Sequence, residues 1–348
     1  MFELVYLIFC CNLFVGIKAF PGMEECISPP LECPNINITF WLYTRANEDK
    51  PHQIRAGDSE SIKKAPWVQH APVKILVHGY TGFKEFSPNT EIRPAYMECC
   101  NYNIISVDYE PIARQPCYIQ AAHNTELVGM CTAQLIDDLI ENHGFTLDQF
   151  HPIGFSLGGQ TVGYIGNYLK SGRLNRITAL DPAFPLFVTP DNNRKVDKSD
   201  ALFVDVLHTN ALWKGKLEPS GHVDFYANGG LTQPGCNATA NATKSSCDHA
   251  RAPMYFAESI ISDRGCYARK YSCLLFLGLC SPNKPDETIL FGEHVSQNAS
   301  GVYFLSTNSE SPYCRGNDND DAATRAALFD NLYLLSEPDI INYLNSMG

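Results

Sequence analysis

Short, almost wholly apolar runs alternate with longer amphipathic stretches over the first two thirds of the chain. Val73-Lys74-Ile75-Leu76-Val77, Asn103-Ile104-Ile105-Ser106-Val107-Asp108, Phe150-His151-Pro152-Ile153 and Arg176-Ile177-Thr178-Ala179-Leu180 read as buried strands. Earlier and later strands are expected at Asn37 to Tyr43 and at Leu202 to Leu207. From Gln120 to Asn142, Leu127, Val128, Cys131, Leu135, Ile136, Leu139 and Ile140 fall on one stripe, which predicts a long helix with that stripe in the core. Val162, Ile165 and Leu169 repeat at helical spacing after the Phe150 run. Strands alternating with helices in this way predict the α/β class, with a mostly parallel central sheet covered on both faces.

Between the third strand and its helix stands Gly154-Phe155-Ser156-Leu157-Gly158. Gly-x-Ser-x-Gly at a strand-to-helix junction is the form of a nucleophile elbow, in which the serine hydroxyl is lifted clear of its neighbours. That reading makes Ser156 the nucleophile of an α/β-hydrolase fold. In such a fold the loop after an earlier strand gives one backbone N–H to the oxyanion hole, and the residue after the nucleophile gives the other. Tyr80, in His78-Gly79-Tyr80-Thr81-Gly82, and Leu157 are the expected donors; Tyr80 as a plain aromatic cover over the core is the competing reading.

The partners follow in the order acid, then histidine. Asp181, at the end of the Arg176 strand, satisfies that order, whereas Asp108 precedes the serine. Asp205 is the rival acid. His249 follows Cys247-Asp248 and is expected on an anchored loop; His208, ending a strand, is its rival, and His222 reads as structural.

The chain has 348 residues and a net charge of −12, which argues against a nucleic-acid partner and against anchoring on anionic lipid. Residues 1–19 carry an apolar core too short to span a bilayer and a small-residue end, and are expected to be a secretory signal peptide. Removing Cys10 and Cys11 leaves an even number of the 14 cysteines, as expected for six disulfides in an oxidising compartment. Glycosylation sequons begin at Asn37, Asn237, Asn241 and Asn298. No cysteine/histidine cluster at metal-binding spacing is found, and neither metal nor cofactor is expected. Residues 20–316 are taken as the catalytic domain and 317–348 as an acidic tail in which Leu328, Leu332 and Leu335 suit a short packing helix.

Taken together, His78-Gly79-Tyr80, Gly154 to Gly159, Leu180-Asp181-Pro182-Ala183, Phe203 to Thr209, Gly221 to Gly230, Gln233-Pro234-Gly235-Cys236 and Cys247-Asp248-His249 resemble the pancreatic lipase family over about Asn37 to Tyr313. The resemblance implies ester hydrolysis of lipids by Ser156, Asp181 and His249, on a lipid substrate met at an interface. The sequence departs from the family in several places. Phe155 stands where those lipases usually have histidine. The β-sandwich that binds colipase in them has no counterpart after Cys314, so no colipase partner is expected. Asp197 and Asp200 resemble part of the family's calcium site, but an insertion alters the preceding spacing and an ordinary solvated acidic turn is expected. Cys236 with Cys247 and Cys273 with Cys280 are the expected disulfide pairs, the others being open.

The segment between Cys236 and Cys247 holds nothing more apolar than alanine. It is expected to be a loop, without an apolar face to lay over the site. This short lid and the short His208 to His222 connection resemble the phospholipase A1 branch. Phospholipid sn-1 hydrolysis in an open site is therefore the expectation, with triacylglycerol or broad carboxylester hydrolysis as the alternative. A non-catalytic binding or storage protein is the remote one, since all three triad residues are present. Leu212-Trp213 and Leu274 to Leu277 suit either lipid contact or core.

Overall fold

The computed structural model describes residues 26–237, 241–274, 279–282 and 287–317. The expected signal peptide, the tail beyond 317 and part of the Leu274 to Leu277 run lie outside them. Twelve strands of the described residues join in one sheet: β1 (Thr39–Tyr43), β2 (His52–Ile54), β3 (Val73–Val77), β4 (Asn103–Asp108), β5 (Phe150–Phe155), β6 (Arg176–Leu180), β7 (Phe203–His208), β8 (Val223–Ala227), β9 (Tyr267–Leu274), β10 (Leu279–Pro282), β11 (Thr288–Leu290) and β12 (Gly301–Leu305). Their order is β10-β9-β12-β8-β7-β6-β5-β3-β4-β1-β2, with β11 beside β9. From β4 to β12 every neighbouring pair is parallel, and antiparallel strands finish both edges.

The four main helices among the described residues are α1 (Asn89–Cys99), α2 (Tyr118–His143), α3 (Leu157–Tyr168) and α4 (Asn241–Ile261). Alternation along β3 shows why its sequence is so apolar. Val73, Ile75 and Val77 enter a core with Leu127, Leu135 and Val162 of α2 and α3. Leu76 enters the opposite core, with Tyr96 of α1 and Phe256 of α4. Both faces are buried, so neither can be polar without a partner. α2 and α3 approach so closely that a Cβ on Gly129 would collide with Tyr164.

Lys74 is the exception in β3, and it is matched. Its ammonium lies 2.6 Å from Glu293 Oε1 and donates to His151 Nδ1 at 3.0 Å. Next to it, Arg176 makes a two-pronged pair with Asp205 at 2.7 and 3.0 Å, and Thr178 donates to the same carboxylate. Such a paired network avoids leaving a bare charge in the interior. It also engages both oxygens of Asp205.

The registers set the carboxyl ends of β3, β5, β6 and β7 level: Val77 opposite Gly154, Phe155 opposite Leu180, Leu180 opposite Leu207. Ser156 and Asp181 are the residues that leave β5 and β6 at that edge.

Candidate active site

Ser156 takes φ 58° and ψ −120°, a conformation that L-residues occupy only when their surroundings impose it. The spacing of the flanking glycines follows from contacts. A Cβ on Gly154 would overlap the Gly158 carbonyl, and one on Gly158 would overlap the carbonyl of Val77. Strand, turn and helix therefore close only with both glycines present. Leu157 is the first residue of α3, where a backbone N–H has no intrahelical acceptor.

On the other side of Ser156 is the loop after β3. A Cβ on Gly79 would sit 2.7 Å from that of Ser156, so the loop backbone passes directly over the serine. His78 fixes it: its Nδ1 donates to Gly79 O at 2.8 Å, its Nε2 accepts from the Tyr109 amide at 3.2 Å, and its ring stacks on Tyr109. The His-Gly pair after a buried strand was the visible signal of this loop, but its partner Tyr109 could not be identified from sequence. The Tyr80 ring is half-buried and meets Tyr118 edge to face at 5.1 Å.

Asp181 is fully buried, with φ 41°. Its Oδ1 accepts from the amides of Thr209 and Asn210 at 2.8 and 3.1 Å, and its Oδ2 lies 2.5 Å from His249 Nδ1. An ionised carboxylate only accepts, so Nδ1 carries the proton and Nε2 is left as the basic nitrogen. Gln160 of α3 holds the segment after Asp181 by donating to Ala183 O at 2.7 Å. No pattern in the sequence marks that glutamine.

His249 sits on α4, not on the anchored loop expected for it, and the described part of the expected lid loop, from Asn241 onward, is the first turns of the same helix. Polar tethers replace the missing apolar face. Ser245 donates to Asn210 Oδ1 at 2.7 Å, Lys214 donates to Ser246 Oγ at 2.8 Å, and the Cys236–Cys247 disulfide ties in the chain before it. Ser156 and His249 line one cleft of about 720 Å³, together with Tyr80, Phe86, Glu91, Tyr118, Phe155 and Lys214. The Phe155 ring lies 4.6 Å from the imidazole. Among the described contacts no hydrogen bond joins Ser156 Oγ to His249; such bonds commonly tighten only when substrate binds.

The rivals lie elsewhere. His208 is buried between Lys216 O at 2.7 Å and Asp224 at 2.9 Å, and His222 accepts from the Val204 amide. Asp197 and Asp200 are buried, which corrects the expected solvated turn: the segment tucks against α3, where Asp200 closes on Gly163 and Gly166. Burial pushes the Asp200 carboxyl up to about 8, and one oxygen of each aspartate has no hydrogen-bond partner. These orphaned oxygens suit a hard cation in kind, yet a calcium ion wants six to eight oxygens. Among the described residues no group of three or more His, Cys, Asp or Glu side chains is placed for a metal.

Disulfides join Cys26–Cys117, Cys33–Cys131, Cys99–Cys100 and Cys266–Cys314, beside Cys236–Cys247. Cys273 stands opposite Cys280 in the β9–β10 register and is disulfide-bonded. Asn237 and Asn298 are exposed and Asn37 is partly buried, whereas the Asn241 side chain lies outside the description.

A serine elbow at the carboxyl edge of a parallel sheet, with an acid and a histidine following in chain order, is the organisation of an α/β hydrolase. Residues 16–313 match the family model described as Lipase, and the chain belongs to that family. It is 34% identical over 244 residues to Pancreatic lipase-related protein 2 of Cavia porcellus, covering 68% of this chain and 55% of that protein. Against the protein of the same name from Myocastor coypus it is 31% identical, covering 86% and 67%. With the Pancreatic triacylglycerol lipase of Oryctolagus cuniculus it shares 30%, covering 80% and 65%. The chain thus spans between about half and two thirds of these relatives.

Proposed function

We propose that this chain is a secreted carboxylic ester hydrolase that cleaves fatty-acyl esters of lipids, and that phospholipids, cut at the sn-1 ester, are preferred to triacylglycerols. The observation that carries the reading is the Asp181–His249 pair in the cleft that also holds Ser156. Ser156 Oγ attacks the acyl carbonyl as His249 Nε2 takes its proton, and the amides of Tyr80 and Leu157 face the oxyanion that forms. His249 then returns the proton to the leaving alkoxide, and water, activated by the same imidazole, releases the fatty acid. Asp181 keeps the imidazole in the required tautomer and offsets its charge.

Exposed apolar side chains support a lipid substrate. Phe86 lines the cleft, and Ile119, Leu186 and Trp213, each about half exposed, adjoin its lining residues Tyr118, Pro185 and Lys214. The polar start of α4 supports an open site, because it has no apolar face to hold a closed lid in water. Fatty acid released from the sn-1 position of phosphatidylcholine, measured beside triolein with a Ser156→Ala control, tests the proposal. A sharp rise of the triolein rate above its solubility limit, with little phospholipid cleavage, overturns the substrate assignment.

A further inference from the structure

Charge inside the cleft is sparse: besides His249, its lining residues include one cation, Lys214, and one carboxylate, Glu91. Lys214 is held on the loop that also builds the acid's environment. Its amide donates to Asn210 Oδ1 at 3.2 Å, and its carbonyl accepts from Phe184 at 2.7 Å. The amide of Asn210 itself donates to Asp181. Gly215, the next residue, lies against the Asp181 carboxylate so tightly that a Cβ there would overlap it. The ammonium donates to Ser246 Oγ at 2.8 Å, three residues before His249 and so on the same face of α4. Among the described residues no carboxylate pairs with Lys214, so two of its three donors are uncommitted. Packing withdraws part of its hydration and lowers its pKa.

The reaction fixes which part of a substrate reaches this corner. The leaving oxygen receives its proton from His249, so the alcohol portion must lie on the His249 side of the scissile bond, while the acyl carbonyl points toward Tyr80 and Leu157. In a glycerophospholipid cut at sn-1, that alcohol portion carries the phosphodiester a few bonds away. We infer that Lys214, steadied by Ser246, is the specificity residue that receives the phosphodiester of the leaving lysophospholipid. This rests on the phospholipase reading above. Lys214 is exposed at the cleft wall; its ammonium binds phosphate as a point charge with rotatable donors, and a charge-assisted bond is stronger than its neutral counterpart. With Lys214 as the one lysine or arginine among the described lining residues, the corner matches one anionic group.

The test compares dioleoylphosphatidylcholine with dioleoylglycerol, the same diacyl skeleton without the phosphodiester, in mixed micelles of one neutral detergent. Lys214→Gln should lower the ratio of kcat/KM for the two substrates about tenfold, and Lys214→Arg should restore most of it. Raising the salt should shrink the difference between wild type and Lys214→Gln, because an open corner is screened. An equal loss on both substrates, or an unchanged ratio, overturns the assignment. A second measurement separates it from the substrate proposal: glycerophosphocholine as an inhibitor of p-nitrophenyl butyrate hydrolysis, with an inhibition constant that rises about tenfold in Lys214→Gln. If the wild type spares phosphatidylcholine yet shows this Lys214-dependent inhibition, the phospholipase reading falls and the subsite stands. If it cleaves phosphatidylcholine and neither measurement responds to Lys214, the subsite falls and the phospholipase reading stands.

Discussion

Gly215 offers a test that touches no reacting group. Its backbone needs no glycine conformation, but a Cβ there would lie 2.6 Å from Asp181 Cγ, where ordinary contact begins at 3.4 Å. Asp181 has no free side to retreat to, since Oδ1 is fixed by two amides and Oδ2 by the imidazole. Gly215→Ala should therefore move the carboxylate or the 210–215 loop by something on the order of 1 Å, a misplacement that typically costs about 10²-fold in rate. Overpacking of this kind costs about 1–3 kcal/mol of stability, so the fold should survive. The assay is kcat on p-nitrophenyl butyrate together with thermal unfolding. The expected outcome is a folded protein with a Tm a few degrees lower, kcat reduced about a hundredfold and KM little changed. A variant with full kcat would show that the position of Asp181 does not matter to the chemistry.

Other consequences follow from the same contacts. Asp181→Asn turns a donor toward His249 Nδ1, stabilises the wrong tautomer and should reduce kcat by about 10⁴-fold, measurable on any soluble ester. Replacing Cys236 and Cys247 by serine frees the start of the helix that bears His249; the loss of the short cross-linked loop should cost about 2–4 kcal/mol in denaturant unfolding and lower kcat as well. His151 is buried and faces Lys74, Arg176, Glu293 and Thr178; burial first, then the Lys74 and Arg176 charges, holds its pKa well below the usual histidine value. The unfolded chain, with an ordinary pKa of about 6.5, then takes up protons that the folded chain refuses. Stability is therefore present above about pH 6.5 and lost as pH falls from there toward the folded value. His151→Gln should flatten the decline of Tm between about pH 6.5 and 5, and a slope equal to that of the wild type would contradict this account.

The parallel core of the sheet was legible because a strand buried on both faces is mostly apolar, as β3 and β6 are apart from the paired Lys74, Arg176 and Thr178. The geometry of the candidate site was legible where chain order and local spacing carry the information, at the elbow and at Asp181 after its strand. Legibility failed where partners are distant in sequence. Nothing around Lys74 announces Glu293, and nothing around Cys26 announces Cys117. The helical state of Asn241 to His249 was missed because the segment lacks an apolar stripe; it is held by Asn210 and Lys214, whose proximity only the fold creates. Burial of Asp197 and Asp200 escaped for the same reason: composition marks a polar turn, while packing against Gly163 decides its exposure.

The most direct test of the central claim is covalent labelling with diethyl p-nitrophenyl phosphate, followed by mass spectrometry of the peptides. The account predicts one diethylphosphoryl group on Ser156, formed in step with loss of esterase activity and strongly slowed in Asp181→Asn. A label on another serine, or activity that persists after Ser156 is fully modified, would contradict it.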